Sequence, residues 1–139
     1  MNLLTLADVP PLEVEASDTV GRAVDAAMEA RVGAVAVVEN GRLVGIFTER
    51  DVMAKVVRPR LDPDKTPLRD VMSSPVWTVP ATMHVQDALK LMLERHTRHL
   101  IISSDGKKAQ GVLSIRNVMQ YMLDYLQKNL RQMESYLGR

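Results

Sequence analysis

The sequence contains no cysteine. That excludes disulfides, thiolate nucleophiles and cysteine-ligated zinc. It is also compatible with a reducing compartment, so a cytoplasmic location is the expectation. Aromatic side chains make up only 4% of the chain, with one Trp and one Phe. Val, Leu, Ile, Ala and Met must therefore fill any core. No run approaches the roughly 18 apolar residues of a membrane span. The opening MNLLTLADVPPLEVEASD lacks a basic segment followed by a long apolar one, so neither membrane insertion nor a secretory signal is expected. An excess of one charge is also missing. Eighteen Lys and Arg stand against 17 Asp and Glu, interspersed, for a net charge of +1. Such a balance gives no drive toward nucleic acid or an anionic membrane. There is no GxGxxG, no P-loop, no nucleophile–base pair and no metal-ligand spacing, so catalysis is not expected. What remains is a chain of 139 residues that is 46% hydrophobic, enough for one compact domain or two small halves packed together.

The chain repeats itself. At an offset of 65, Val20–Met28 lies on Val85–Leu93, and the apolar positions coincide in an i, i+3, i+4, i+7, i+8 pattern. That pattern is one face of an amphipathic helix. Ser17 or Asp18 is the expected cap of the first such helix and Thr82 of the second. Short β-prone runs follow at 34–38 (AVAVV) and 99–103 (HLIIS). Asn40-Gly41 and Asp105-Gly106 are hairpin signals. The partner strands are LVGIF at 43–47 and QGVLS at 110–114, and the offset becomes 66 from Gly45 and Gly111 onward. A second helix begins near Thr48 and near Ser114. LEVE (12–15) and VWTV (76–79) supply a strand before each first helix.

Each copy thus reads strand–helix–strand–strand–helix. A copy of about 45 residues cannot bury a sheet face alone, so an α+β fold is expected in which two tandem copies pack sheet to sheet with pseudo-two-fold symmetry. The expected divisions are a first repeat at 5–58, a linker at 59–70, a second repeat at 71–123 and a C-terminal helical extension at 124–139. Duplicated units of this kind, each ending in glycine, two apolar residues, Thr or Ser, two variable residues and Asp or Asn (GIFTERD at 45–51, GVLSIRN at 111–117), resemble a pair of CBS domains, a Bateman module. The resemblance covers roughly residues 5–123.

It implies a regulatory binder of an adenosine-containing ligand such as AMP, ADP, ATP or S-adenosylmethionine, with no required cofactor, which signals by conformational change to an unidentified protein target. It also implies two clefts, each drawing on both copies. One would set Thr48 and Asp51 against Met72, Val76, Trp77 and Thr78. The other would set Ser114 and Asn117 against the start of the chain, near Ala7 and Leu12. Arg98, just before a strand, would meet phosphate through its forked donors.

The residues allow plainer readings beside these. Thr48-x-x-Asp51 is a capping box as written. A helix N-terminus also attracts phosphate, and a carboxylate at 51 can accept from a ribose diol. Asn117 keeps the cap but gives up the charge and one acceptor, which points to Asp51 as the tighter cleft. Trp77 reads as a core aromatic or as a ligand wall. His96 and His99 straddle a helix-to-strand boundary without a third ligand nearby, so no metal site is expected. Finally, Met119, Leu123, Leu126, Leu130, Met133 and Leu137 are spaced 4, 3, 4, 3, 4. That is a heptad seam. It predicts one continuous helix over 119–137 whose Leu126, Leu130 and Met133 face a second chain, making a homodimer. An adaptor that acts through this helix, its clefts empty, is the alternative function.

Overall fold

The structure is a computed structural model, and it describes residues 1–138. Two three-stranded sheets stand side by side, ordered β1-β2-β3 and β4-β5-β6. The first comprises β1 (Glu13–Glu15), β2 (Ala34–Glu39) and β3 (Arg42–Thr48); the second β4 (Thr78–Val79), β5 (His99–Ile102) and β6 (Gly111–Ser114). Each pairs a parallel strand with an antiparallel hairpin. A parallel pair needs a long crossover. Helices α1 (Val20–Ala30) and α3 (Val85–Glu94) provide it. Asn40 and Gly41, with φ of 52° and 75°, form the tight turn of the first hairpin.

Three differences from the sequence expectations have local causes. The cap of α1 is Thr19, which accepts from Arg22 N–H, and the cap of α3 is His84, whose Nδ1 accepts from Gln86 N–H. Ser17, Asp18 and Thr82 lie too early to reach those groups. The VWTV run yields only two strand residues, Thr78 and Val79, with Val76 packed at the junction of the sheets and Trp77 outside the ladder. The second helix of the first copy, α2, makes one α-turn over Glu49–Asp51 and then widens into a π-helix over Val52–Val57. Its counterpart, α4, runs unbroken from Ile115 to Tyr136.

The core is built crosswise. Val14, Val20, Val35, Val37, Phe47 and Val56 pack beneath α1 and α2, and Leu68 and Val71, from the approach to the second copy, close that cluster. Leu3, from the start of the chain, is buried in the second cluster with Val79, Met92, Leu100, Ile102 and Leu113. The two sheets meet through Ala34, Ala36, Ile101 and Val112, small or branched side chains that let strands approach closely.

This exchange explains the glycine in each motif. A Cβ on Gly45 would lie 2.8 Å from Met72 Cγ, and one on Gly111 would lie 3.1 Å from Leu4 Cδ2 and 3.2 Å from the Asp8 carbonyl. Neither glycine has unusual backbone angles. Each is small because the entry segment of the other copy lies against it. Both entry segments are held by paired backbone bonds. Ser73 bridges Ile46 at 2.8 and 3.0 Å, and Asp8 bridges Val112 at 2.9 and 3.1 Å.

Candidate functional site

The motif helices start as the sequence requires. Thr48 Oγ1 accepts from Asp51 N–H at 3.3 Å, and Asp51 Oδ2 accepts from Thr48 N–H at 3.0 Å. In the second copy Ser114 Oγ accepts from Asn117 N–H at 3.0 Å, and Asn117 Oδ1 accepts from Ser114 N–H at 2.8 Å. Both are complete capping boxes. The first residue of each helix gives its N–H to the carbonyl just before the neighbouring strand, Glu49 to Gly33 at 3.0 Å and Ile115 to Arg98 at 2.8 Å. These bonds seat both caps near the line where the two copies meet.

A cleft of about 840 Å³ opens there. Thr48 and Glu49 of the first copy border it, as do Arg98, His99, Ser114 and Asn117 of the second. Asp8 reaches it from the start of the chain, and Val24, Ala27, Met28, Val52 and Met53 give it an apolar wall. Arg31, Arg98 and Arg116 also line it. None of the three is in an ion pair among the described residues. His99 is half-buried, and desolvation holds its pKa below the usual imidazole value against the opposing pull of Glu49 and Asp8, while Arg98 adds to the lowering.

Of the residues singled out by sequence, Thr48, Arg98, Ser114 and Asn117 come together in this cleft; Asp51, Met72, Val76, Trp77 and Thr78 do not border it. Asp51 is buried, with its carboxylate fully engaged. Besides the cap, Oδ1 accepts from Ser73 Oγ at 2.9 Å and lies 3.3 Å from Lys55 Nζ. Lys55 also donates to Ser73 Oγ at 3.1 Å. Met72 lies against Gly45, Val76 packs at the junction of the sheets, and Thr78 is paired in β4. Trp77 is not a core aromatic: it is 65% exposed, with the Arg95 guanidinium 4.9 Å from its ring centroid. The cis Ser74-Pro75 bond precedes this exposed turn. Leu12 packs on the first cluster and Ala7 on the second.

Sequence reasoning missed Asp8, Arg31, Glu49 and Arg116 as cleft residues. The duplication carried a signal for Asp8, since the offset of 65 lays it on Ser73. Arg31 carried none, because its place depends on the left-handed turn that ends α1 at φ 57°. Among the described residues no group of three potential metal ligands gathers, and no helix is long and apolar enough to cross a membrane.

A family model for the CBS domain matches the chain twice, at residues 6–58 and 68–124. The chain belongs to the CBS domain family. The duplicated strand–helix–strand–strand–helix units are thus a CBS pair. An uncharacterized protein of Methanopyrus kandleri is 31% identical across 99% of this chain and 74% of its own length. The chain spans between about half and three quarters of the length of the first four curated relatives. Among solved structures, a protein with CBS domains from Burkholderia ambifaria is 26% identical over 89% of this chain and 95% of its own, with a TM-score of 0.81. A CBS domain protein from Pyrobaculum aerophilum, solved in complex with AMP, is 28% identical over 84% of this chain and 89% of its own, with a TM-score of 0.74. These likenesses establish a CBS pair.

Proposed function

We propose that this CBS pair is a regulatory module that binds a phosphorylated adenosine compound in the cleft between its repeats and passes occupancy to a partner, without catalysing a reaction. The observation that carries this reading is the set of Arg31, Arg98 and Arg116 around one cleft, none of them ion-paired among the described residues. Guanidinium groups bind phosphate oxygens in pairs of parallel bonds. Three of them with only Asp8 and Glu49 to offset them suit an anionic ligand better than the cationic sulfonium of S-adenosylmethionine. The apolar wall of Val24, Ala27 and Val52 suits a base. The AMP held by the Pyrobaculum relative supports the adenosine part.

The Asp51 side of the molecule is a second, pseudo-symmetric candidate for Thr48, Asp51, Met72, Val76, Trp77 and Thr78. A ligand there has to displace Lys55 from Asp51, so the site at Ser114 and Asn117 fills first. The partner through which the module acts is, in this reading, a second copy joined at the exposed seam of α4, and through the dimer a target protein. The adaptor reading has its support in that same seam, since Leu126, Leu130 and Met133 are about 60% exposed.

A thermal-shift comparison of AMP, ADP, ATP, NAD and S-adenosylmethionine separates these readings. A ligand that bridges the repeats raises the melting temperature by mass action, by about 2.7 kcal/mol of stability at 100 times its dissociation constant. The expected result is a rise with AMP, ADP or ATP and none with S-adenosylmethionine. Silence from all five favours the adaptor.

A further inference from the structure

We infer that Asp8 supplies the carboxylate that the second motif lacks, as the acceptor for a vicinal diol of a ligand whose phosphate meets the cleft arginines. This rests on the nucleotide reading above and names the residue that would hold the sugar.

The pseudo-symmetry pairs the two entry segments. Ser73 forms a two-bond bridge with Ile46 in the first copy, and Asp8 forms the same bridge with Val112 in the second. The offsets of 65 and 66 superpose Asp8 on Ser73 and Val112 on Ile46. Ser73 uses this position to reach the motif acid, with its Oγ 2.9 Å from Asp51 Oδ1. The backbone of position 8 is bridged to the second copy as that of position 73 is to the first. Asp8 and Asn117 both line the open cleft. The two copies therefore differ in chemistry at two equivalent pairs of positions. The first has Ser on the entry segment and Asp on the helix; the second has Asp on the entry segment and Asn on the helix.

The hydrogen bonds make the exchange purposeful. Asn117 Oδ1 is used by the cap, accepting from Ser114 N–H and from Ser114 Oγ at 2.8 Å each. Its amide N–H groups have no partner among the described residues, so Asn117 offers the cleft donors and no acceptor. The Asp8 side chain is exposed and makes no hydrogen bond or ion pair among the described residues. The cation that ties up Asp51 has no counterpart here, because the position equivalent to Lys55 is Tyr121. A free carboxylate and a free amide lining one cleft can together accept from two adjacent hydroxyls and donate back to one of them. Neither residue alone can do both.

Calorimetry with AMP and with its 2′-deoxy analogue tests this. Asp8→Ala should weaken AMP by about tenfold or more, as expected for lost charge-assisted bonds, and should leave the weaker deoxy analogue nearly unchanged. Asn117→Asp alone should also weaken AMP, since it sets two carboxylates side by side. The exchange Asp8→Asn with Asn117→Asp should restore binding to within a few-fold of wild type. Wild-type affinity for AMP in Asp8→Ala, or an equal loss for AMP and the deoxy analogue, overturns the assignment while leaving the nucleotide reading standing. No heat from AMP with the wild-type chain overturns the nucleotide reading, and the diol contact with it.

Discussion

Asp51 illustrates how one residue can satisfy a motif while its carboxylate is already bonded within the fold. Its carboxylate closes a capping box with Thr48, takes the Ser73 hydroxyl and pairs with Lys55. A buried carboxylate that is fully bonded stabilises the fold, and removing it leaves donors without partners. Asp51→Ala should therefore lower stability by about 1–3 kcal/mol, combining the lost cap with the stranded Ser73 and Lys55. It should leave AMP affinity at the Ser114 cleft within a few-fold of wild type. Chemical denaturation and calorimetry on the same variant check both parts. A variant as stable as wild type that no longer binds AMP would place Asp51 on the ligand instead. The motif at 45–51 was legible in the sequence and so was its capping role. The engagement of its second oxygen was not, because Ser73 lies 22 residues away and reaches Asp51 only through the bridge to Ile46.

At the scale of elements, what could be read depended on whether the signal was local. The periodicity at 20–28 and 85–93 located α1 and α3, since one buried face dictates apolar spacing. Asn40-Gly41 located the first hairpin, because both residues tolerate positive φ. The π-helix of Val52–Val57 left no trace in the repeat, where the apolar spacing of α2 looks like that of α4. The burial of Leu3 and Leu68 in the opposite copies was equally hidden, since nothing near either residue names its partner. Helix α4 is continuous as its spacing implies, and its later part stands clear of the module. Leu123, Leu126, Leu130 and Met133 are 52–61% exposed. A seam this apolar is unfavourable in water unless covered. Its spacing is symmetric about Lys128, so an antiparallel pair would set Leu126 against Leu130, and Asp124 near Arg131, of a second copy. Leu126→Lys with Leu130→Lys should reduce a dimer of the 15.5 kDa chain to a monomer by light scattering, with the module melting as before. A double variant that stays dimeric would assign the interface to another face, and one that loses its own melting transition would assign the seam to the module core.

At the scale of the whole molecule, duplication does more than double a motif. Each sheet takes its last contacts from the entry segment of the other copy, so the repeats cannot separate without opening both cores. The cleft lies on that shared boundary, and α4 begins at its edge with the Ser114 cap and runs about 33 Å outward at 1.5 Å per residue. A ligand held there touches both copies and the first turn of the helix that carries the exposed seam. In the proposed reading, binding that favours one arrangement of the boundary would thereby be coupled to the surface offered to a partner. The central claim is that a phosphorylated adenosine compound occupies this boundary. Backbone amide shifts of the isotope-labelled chain, recorded as AMP is added, test it most directly. The largest changes should fall on Asp8, Arg98, His99 and Ser114 to Asn117, with Trp77 and Arg95 unmoved. Changes centred on Trp77 and Arg95, or none at all at millimolar AMP, would contradict it.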